Sequence, residues 1–168
     1  MKSVREVEAL VHDAHTGQVD KTGVPYVEHV RAVAAGLAPF GDELVMAGLL
    51  HDVIEDTDWT AERLRAVGVP SRAVQIVEAV TNETGLTYAE KIRRITGDAQ
   101  ATLVKIADNA HNSRPERAAR LPREKRERLA AKYRAARTVL WPAAHRDDIE
   151  TIVRIVNPSL LTELDEHH

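Results

Sequence analysis

Residues 44–57 read LVMAGLLHDVIEDT, and this stretch decides the fold. Its first half is apolar on every side of a helix, which is typical of a helix buried in the centre of a protein. We predict one helix over Leu44–Ile54, with Asp42 as its N-cap. A histidine and three carboxylates follow at its end, so ionisable groups are carried towards the core.

Helical periodicity extends through nearly the whole chain. Apolar residues at Val4, Val7, Leu10 and Val11 predict a first helix that ends near Gly17. Strand-like alternation is hard to find, so we predict an all-α fold. Further helices are expected over Tyr26–Ala38, Thr60–Val67, Ser71–Val80, Thr87–Ile95, Ala99–Asn109, Pro122–Leu140 and Asp147–Val156.

Composition limits the classes of protein to consider. The chain has 168 residues, 43% of them hydrophobic and 4% aromatic, and it has no cysteine. Any metal must therefore be held by histidine and carboxylate. No signal core opens the chain and no uncharged run approaches the ~20 residues of a membrane-spanning helix. We expect a single domain over residues 1–168, with no membrane partner, in the cytoplasm.

Charge is distributed unevenly although the net charge is only −3. Residues 1–60 hold eleven acidic and four basic residues, whereas residues 114–137 hold ten basic and three acidic ones. If the two parts face each other, one site can take a metal and a phosphate together. A solvated basic helix is the other reading of residues 114–137. Acidic residues interrupt that segment and aromatic residues are scarce, so we expect no nucleic-acid partner.

The box at the end of the central helix carries the chemistry. On a helix, His51, Asp52, Glu55 and Asp56 fall within an arc of roughly 140°. No lysine or arginine lies within one helical turn of these residues. Such a concentration of negative charge beside a core is costly unless a cation neutralises it. The box therefore predicts a cation site rather than an acidic helix end in solvent.

A second cluster can supply further ligands. Lys105, Asp108 and Asn112 stand at i, i+3 and i+7 on one helical face. Asp108 is suited to a metal, Lys105 to a phosphate and Asn112 to a sugar hydroxyl, although buried Asp–Asn pairs also form structural networks. His29 is a further candidate, on a helix early enough in the chain to pack beside the central one. The residues alone do not distinguish the candidates, which are His12, His15, His29 and His111.

Three other histidine motifs are set aside. His12-Asp13 has no acid pair after it, and His145 precedes Asp147-Asp148, which are better placed as helix caps. The terminal His167-His168 pair is excluded from the metal argument because it resembles part of an expression tag.

Longer strings resemble a known family. The order of His29, His51-Asp52 and Asp108 is similar to that of the HD-domain phosphohydrolases. The strings AHTGQ (14–18), KTGVPY (21–26), LLHDVIEDT (49–57) and VKIAD (104–108) resemble the hydrolase domain of alarmone synthetase–hydrolases and the stand-alone small alarmone hydrolases. The resemblance covers residues 4–140.

This resemblance implies a fold and an activity. The fold is an HD-domain bundle of about eight to ten helices, with a core over residues 4–140 and C-terminal helices over 122–156 packed on it. The activity is Mn²⁺-dependent removal of the 3′-pyrophosphate from guanosine tetra- or pentaphosphate, a small anionic nucleotide, with a metal-activated water as nucleophile. Fe²⁺, Zn²⁺ or Co²⁺ also suits such ligands. The chain is too short to include a synthetase domain.

The resemblance also assigns roles to residues. It implies metal ligation by His29, His51, Asp52 and Asp108, and acid–base catalysis by Glu55 and Asp56. It implies substrate contacts at Lys21, Lys105, Asn112 and Tyr133.

The chain departs from the family pattern near the substrate. Asp20 stands where the family has a guanine-stacking arginine, and Val30 stands where a proline often follows the metal-binding histidine. Residues 113–116, Ser-Arg-Pro-Glu, also differ. These changes leave the metal chemistry untouched and bear on base specificity.

Hydrolysis of another nucleotide or phosphorylated metabolite, such as an adenosine alarmone or NADPH, is the alternative function. A non-catalytic nucleotide sensor is a third hypothesis. The oligomeric state is left open.

Overall fold

The structure, a computed structural model, describes residues 1–167, so His168 lies outside the described residues. It contains twelve α-helical segments and three short 3₁₀ turns. The helices are α1 (Val4–Ala14), α2 (Tyr26–Leu37), α3 (Asp42–Leu50), α4 (Val53–Asp56), α5 (Ala61–Ala66), α6 (Ser71–Val80), α7 (Tyr88–Ile95), α8 (Ala99–Asn112), α9 (Pro115–Ala118), α10 (Arg123–Leu140), α11 (Arg146–Val156) and α12 (Leu161–His167). The turns are Ala38–Phe40, Trp141–Ala143 and Pro158–Leu160. In this part of the chain the β structure is one isolated bridge, between Val19 and Pro25.

The all-α prediction is confirmed, and helices α2, α3 and α8 form its centre by packing against one another. Helix α1 and helix α6 cover α3, while α10 and α11 cover α8. Close approach of α2 and α3 requires the absence of a side chain at Gly48. A Cβ atom there would lie 2.8 Å from Leu37 Cδ1 and 3.2 Å from the backbone of Ala34.

Sequence signals account for several helix ends. Ser3 and Thr87 form capping boxes with Glu6 and Glu90. Asp98 accepts hydrogen bonds from the first turn of α8. These contacts satisfy backbone N–H groups that have no partner inside the helix.

Other predicted boundaries were wrong. The first helix ends at Ala14 instead of near Gly17, and α8 continues to Asn112. Asp42 lies in the first turn of α3, where Gly41 is the N-cap with φ 103°, a conformation that glycine adopts without strain. By contrast, the predicted bounds Ser71–Val80 are those of α6, whose N-cap is Pro70.

The most consequential correction concerns the helix predicted over Leu44–Ile54. Helix α3 ends at Leu50, and Asp52 leaves the helical conformation (φ −110°, ψ 0°) before α4 begins at Val53. Successive residues of an unbroken helix point about 100° apart. The break lets His51 and Asp52 converge on one point instead.

None of the helices within residues 1–167 is both long and apolar enough to cross a lipid bilayer.

Candidate metal centre and its pocket

Four side chains of types that commonly bind metals meet where the central helices pack together. His29 projects from α2, His51 and Asp52 occupy the break between α3 and α4, and Asp108 projects from α8. His29, His51 and Asp108 are 3%, 4% and 5% exposed, and Asp52 is partly exposed. The break is therefore what brings two consecutive residues to a site shared with two other helices.

The donor atoms of these side chains converge. His29 Nε2 lies 3.0 Å from Asp108 Oδ1 and 3.3 Å from His51 Nε2. His51 Nε2 lies 2.9 Å from Asp52 Oδ2 and 3.4 Å from Asp108 Oδ1. Around an ion with ligand bonds of about 2.1 Å, neighbouring donors stand roughly 3 to 3.4 Å apart. His29, His51 and Asp108 thus fit a single small cation on distance alone, and Asp52 adjoins them, with its Oδ2 3.9 Å from His29 Nε2.

Electrostatics point to the same conclusion. Burial opposes a charge on His51, but Asp52 and Asp108 outweigh this effect and raise its pKa well above the usual range. Burial likewise opposes ionisation of Asp52, yet His51 holds the pKa of that carboxyl below its ordinary value. The two carboxylates thus require positive charge between them. A divalent ion satisfies that requirement with both histidines neutral.

Hydrogen bonds around the four residues fix their orientation. His51 Nδ1 lies 2.6 Å from the carbonyl oxygen of Gly48, which turns its Nε2 towards the centre. Tyr26 donates from its hydroxyl to Asp52 Oδ2. Contacts of this kind hold metal ligands in one tautomer and one direction.

Asp108 is held by two residues that the sequence assigned to substrate. Lys105 donates to Asp108 Oδ2 at 2.7 Å, and Asn112 donates to Asp108 Oδ1 at 3.0 Å. Burial opposes ionisation of Asp108, but Lys105 is foremost among the groups that hold its pKa well below the usual range. Lys105 and Asn112 therefore support a metal ligand in this structure, while both also line the pocket.

The acid pair lies beside the centre on α4. Glu55 accepts hydrogen bonds from Asn82 and lies 3.5 Å from the ammonium of Lys91. Asp56 faces the pocket, where burial, then Asp52 and Glu55, raises its pKa. An acid with a raised pKa beside a cation site is suited to taking up a proton.

These groups line one cavity with about 370 Å³ of open space. It joins the acidic N-terminal part of the chain to the basic segment over residues 114–137, through Arg117, Lys132 and Tyr133. Lys21 also lines it and donates to the hydroxyl of Tyr133 at 2.7 Å. The sequence identified both of those residues but missed several others. Among those missed are the polar or charged side chains of Asn82, Tyr88, Lys91 and Lys132.

Asp20 has a structural role in the same cavity. Its Oδ1 accepts hydrogen bonds from Thr22 and Val24, which fold the loop, and its Oδ2 accepts one from Arg117 Nη1 at 2.6 Å. The family that this chain resembles has an arginine at position 20. This chain has an aspartate there, which pairs with Arg117 of α9.

The competing histidines separate clearly in space. His29 has its Nε2 at the metal cluster, whereas His111 lies behind it, with its Nδ1 2.7 Å from His29 Nδ1. His15 packs on Tyr26 with ring centroids 5.0 Å apart, and His12 is exposed at the surface. Sequence spacing could not have distinguished His29 from His111, because both are buried on central helices.

Comparison with known proteins gives a family and several relatives. The HD-domain family matches residues 8–150. A guanosine-3′,5′-bis(diphosphate) 3′-pyrophosphohydrolase of Haemophilus influenzae is 37% identical over 156 residues, which are 85% of this chain and 22% of that protein. The bifunctional (p)ppGpp synthase/hydrolase SpoT of Escherichia coli K12 is 34% identical over 165 residues, 90% of this chain and 23% of that protein. The chain spans less than a quarter of the length of these curated relatives.

A solved structure has similar architecture and size. It was described as a metazoan ortholog of SpoT that hydrolyses ppGpp and plays a role in starvation responses. The two structures superpose with a TM-score of 0.70 at 25% sequence identity, over 90% of this chain and 93% of the other.

Proposed function

This chain belongs to the HD-domain family, and we propose that it is a metal-dependent hydrolase that removes the 3′-pyrophosphate from guanosine tetra- or pentaphosphate. The single observation that carries the proposal is the convergence of His29, His51, Asp52 and Asp108 at one wall of a cavity that also holds an acid pair and several cations. Relatives that align along most of this chain are named for the same reaction.

The four converging residues would hold the ion. Their mixed imidazole and carboxylate donors suit Mn²⁺, which we propose as the native metal, and they also accept Fe²⁺, Zn²⁺ or Co²⁺. A bound divalent ion supplies Lewis acidity, which makes a water more acidic and polarises a phosphoryl oxygen.

Glu55 positions the attacking water, and Asp56 accepts its proton. The water oxygen bonds to the phosphorus next to the ribose, and the bond from that phosphorus to the 3′ oxygen breaks. Asp56, with its raised pKa, takes the proton that the water loses, while the 3′ oxygen gains one to become a hydroxyl. Asn82 and Lys91 hold Glu55 in one orientation. We therefore assign Glu55 the role of positioning the attacking water. One water is consumed for each pyrophosphate released.

The remaining pocket residues hold the substrate. Lys21 and Lys105 present ammonium groups to the phosphates, Asn112 is placed for a ribose hydroxyl, and Tyr133 lies beside Lys21 for contact with the nucleoside. Lys105 also keeps Asp108 ionised, so its removal affects the metal site as well as the substrate.

One observation favours a second candidate, a related hydrolase with another nucleotide as substrate. The pairing of Asp20 with Arg117 changes the charge pattern of the loop next to Lys21. A panel of guanosine tetraphosphate, adenosine analogues, NADPH and simple nucleotides, each incubated with purified protein and Mn²⁺, separates the two. We expect pyrophosphate and GDP from guanosine tetraphosphate at the highest kcat/KM of the panel. Preferred turnover of another compound would replace the substrate, and no turnover of any would leave the sensor hypothesis ahead.

A further inference from the structure

Among the described residues 1–167, two lysines that line the pocket, Lys21 and Lys132, have no carboxylate partner. Within residues 1–167, the carboxylate within 4.0 Å of Lys105 is Asp108 and the one near Lys91 is Glu55. No carboxylate of that part of the chain lies within the same distance of Lys21 or Lys132.

A tyrosine holds each of these two ammonium groups in place. Lys132 Nζ lies 4.2 Å from the centre of the Tyr88 ring. Lys21 Nζ donates to the hydroxyl of Tyr133 and lies 5.5 Å from its ring centre. Contacts between a cation and an aromatic face orient the cation but do not neutralise it. Both positive charges therefore remain available to a ligand.

Repulsion between Lys132 and the neighbouring lysines also indicates that an anion binds there. Burial, then Lys21, Lys105 and Lys91, lowers the pKa of Lys132. Burial and Lys105 also lower the pKa of Lys91. Lys132 therefore lies within the positive field of three other lysines that line the same cavity. A bound anion relieves this repulsion, since phosphate groups gain from several cations together.

The two lysines without a carboxylate partner within residues 1–167 differ in this respect from the two that lie beside the candidate metal centre. Lys105 and Lys91 are engaged by Asp108 and Glu55, so their charge belongs to the metal centre and the acid pair. The phosphoryl group that is hydrolysed must lie at that end. The ammonium groups of Lys21 and Lys132 can therefore bind a different part of the substrate.

We propose that Lys21 and Lys132 form a second anion subsite, the distal lysine subsite, which binds a phosphoryl group other than the one hydrolysed. The proposal rests on the proposed function and narrows its substrate class to nucleotides that carry phosphates at two positions. In guanosine 3′,5′-bis(diphosphate), the group bound there is the 5′-diphosphate. Lys132 is then a specificity-determining residue.

The test compares two substrates that differ only at the 5′ position. They are guanosine 3′,5′-bis(diphosphate) and guanosine 3′-diphosphate with a free 5′-hydroxyl. Steady-state kcat and KM are measured with Mn²⁺ for the unaltered protein, for Lys132→Gln and for the control Lys125→Gln. Lys125 lies two turns earlier on α10 and does not line the cavity.

We expect Lys132→Gln to raise KM for the bis(diphosphate) roughly tenfold, because one charged hydrogen bond is lost, with kcat almost unchanged. KM for the 5′-hydroxyl compound should stay within about twofold, and so should both values for Lys125→Gln. Lys132 is exposed, so the variant is expected to fold.

Two kinetic results overturn the subsite. An equal loss on both substrates would place Lys132 at the hydrolysed diphosphate, and no loss on either would remove it from substrate binding. If the unaltered protein hydrolyses neither compound, the proposed function fails instead. The subsite is then decided by equilibrium titration of the same two compounds, where a 5′-dependent tenfold weakening in Lys132→Gln supports it and equal affinity refutes it.

Discussion

His29 Nδ1 and His111 Nδ1 lie 2.7 Å apart in the interior of the protein, so one ring must donate to the other. Burial, with the charges of His29, Arg117 and Arg114, lowers the pKa of His111 to about 3, and its ring is neutral at pH 7. A metal ion at His29 Nε2 needs the lone pair of that nitrogen. In the metal-bound protein the proton of His29 would therefore be on Nδ1, with His111 as its acceptor.

Replacing His111 with phenylalanine should weaken the metal site. The variant keeps a ring of similar size but leaves the Nδ1–H group of His29 buried without an acceptor. We expect Mn²⁺ affinity to fall about 10- to 100-fold, as for other losses of a hydrogen-bond partner to a ligand. Competition with a chromogenic chelator measures it. The control is His12→Phe at the exposed surface. Unchanged affinity in a folded His111→Phe protein would show that His111 does not orient His29.

Features of the site that depend on residues close together in the sequence could be predicted, whereas features that depend on tertiary contacts could not. The apolar run before His51 and the acids after it are local, and the sequence alone indicated a cation there. Sequence also placed Asp108 and Asn112 on one helical face. The break between α3 and α4 had no such signal, because no proline or glycine occurs in residues 49–57 and the helical pattern continues through them.

Residues that act through tertiary packing could not be found in this way. Lys91 lies on α7 next to a capping box and reads as an ordinary surface lysine, yet its ammonium is buried beside Glu55. Lys132 belongs to a basic segment in which most residues face solvent. Only the packing of α10 and α7 brings Lys132 onto the ring of Tyr88. The sequence left open whether its acidic and basic parts share a site or residues 114–137 form a solvated helix, and the structure shows that both parts line one cavity.

Asp52→Asn should remove the metal and the activity together. Asp52 Oδ2 lies 2.9 Å from His51 Nε2, and the neutral amide supplies no negative charge to a cation at that point. We expect no retained Mn²⁺ after gel filtration and a loss of turnover of at least ~10³-fold. Metal analysis and pyrophosphate release measure the two effects. A variant with full metal content and full rate would remove Asp52 from the ligand set.

Asp56→Asn should separate metal binding from catalysis. Asp56 is outside the group of converging donors, so the variant is expected to keep its metal. Loss of a proton acceptor should lower kcat roughly 10²- to 10⁴-fold with little change in KM. Asp58→Asn, which is exposed two residues later, is the matched control. If Asp56→Asn turns over substrate at the original rate, another group accepts the proton.

Ionisation of Asp56 should make the activity of the enzyme depend on pH in a definite direction. The pKa of Asp56 is raised by burial, then by Asp52 and Glu55, so this residue is protonated at a higher pH than an ordinary aspartate. A general base must be ionised, and kcat/KM should therefore decline as pH falls through a value above 3.8. A pH–rate profile of the Mn²⁺-loaded enzyme measures this limb. The residual activity of Asp56→Asn should lack it, and an identical limb in both proteins would assign it to another group.

Asp20→Asn should destabilise the protein in a pH-dependent way. Burial opposes ionisation of Asp20, but hydrogen bonds from Thr22, Val24 and Arg117 lower its pKa to about 2. A carboxyl group with a depressed pKa stabilises the folded state above its unfolded pKa and loses this effect as pH falls towards the folded value. We expect the variant to be less stable by roughly 2 kcal/mol at pH 7. The difference should shrink between pH 4 and pH 2.

Urea denaturation of the metal-free protein at several pH values measures this difference, with Asp13→Asn as the control because its side chain is 88% exposed. Chelation of the metal removes the separate pH dependence of metal binding. A difference that stays constant from pH 7 to pH 2.5 would mean that the amide loses packing or geometry rather than charge. A difference that shrinks as described would establish that the charge of Asp20, which Thr22, Val24 and Arg117 bind, stabilises the loop before Lys21.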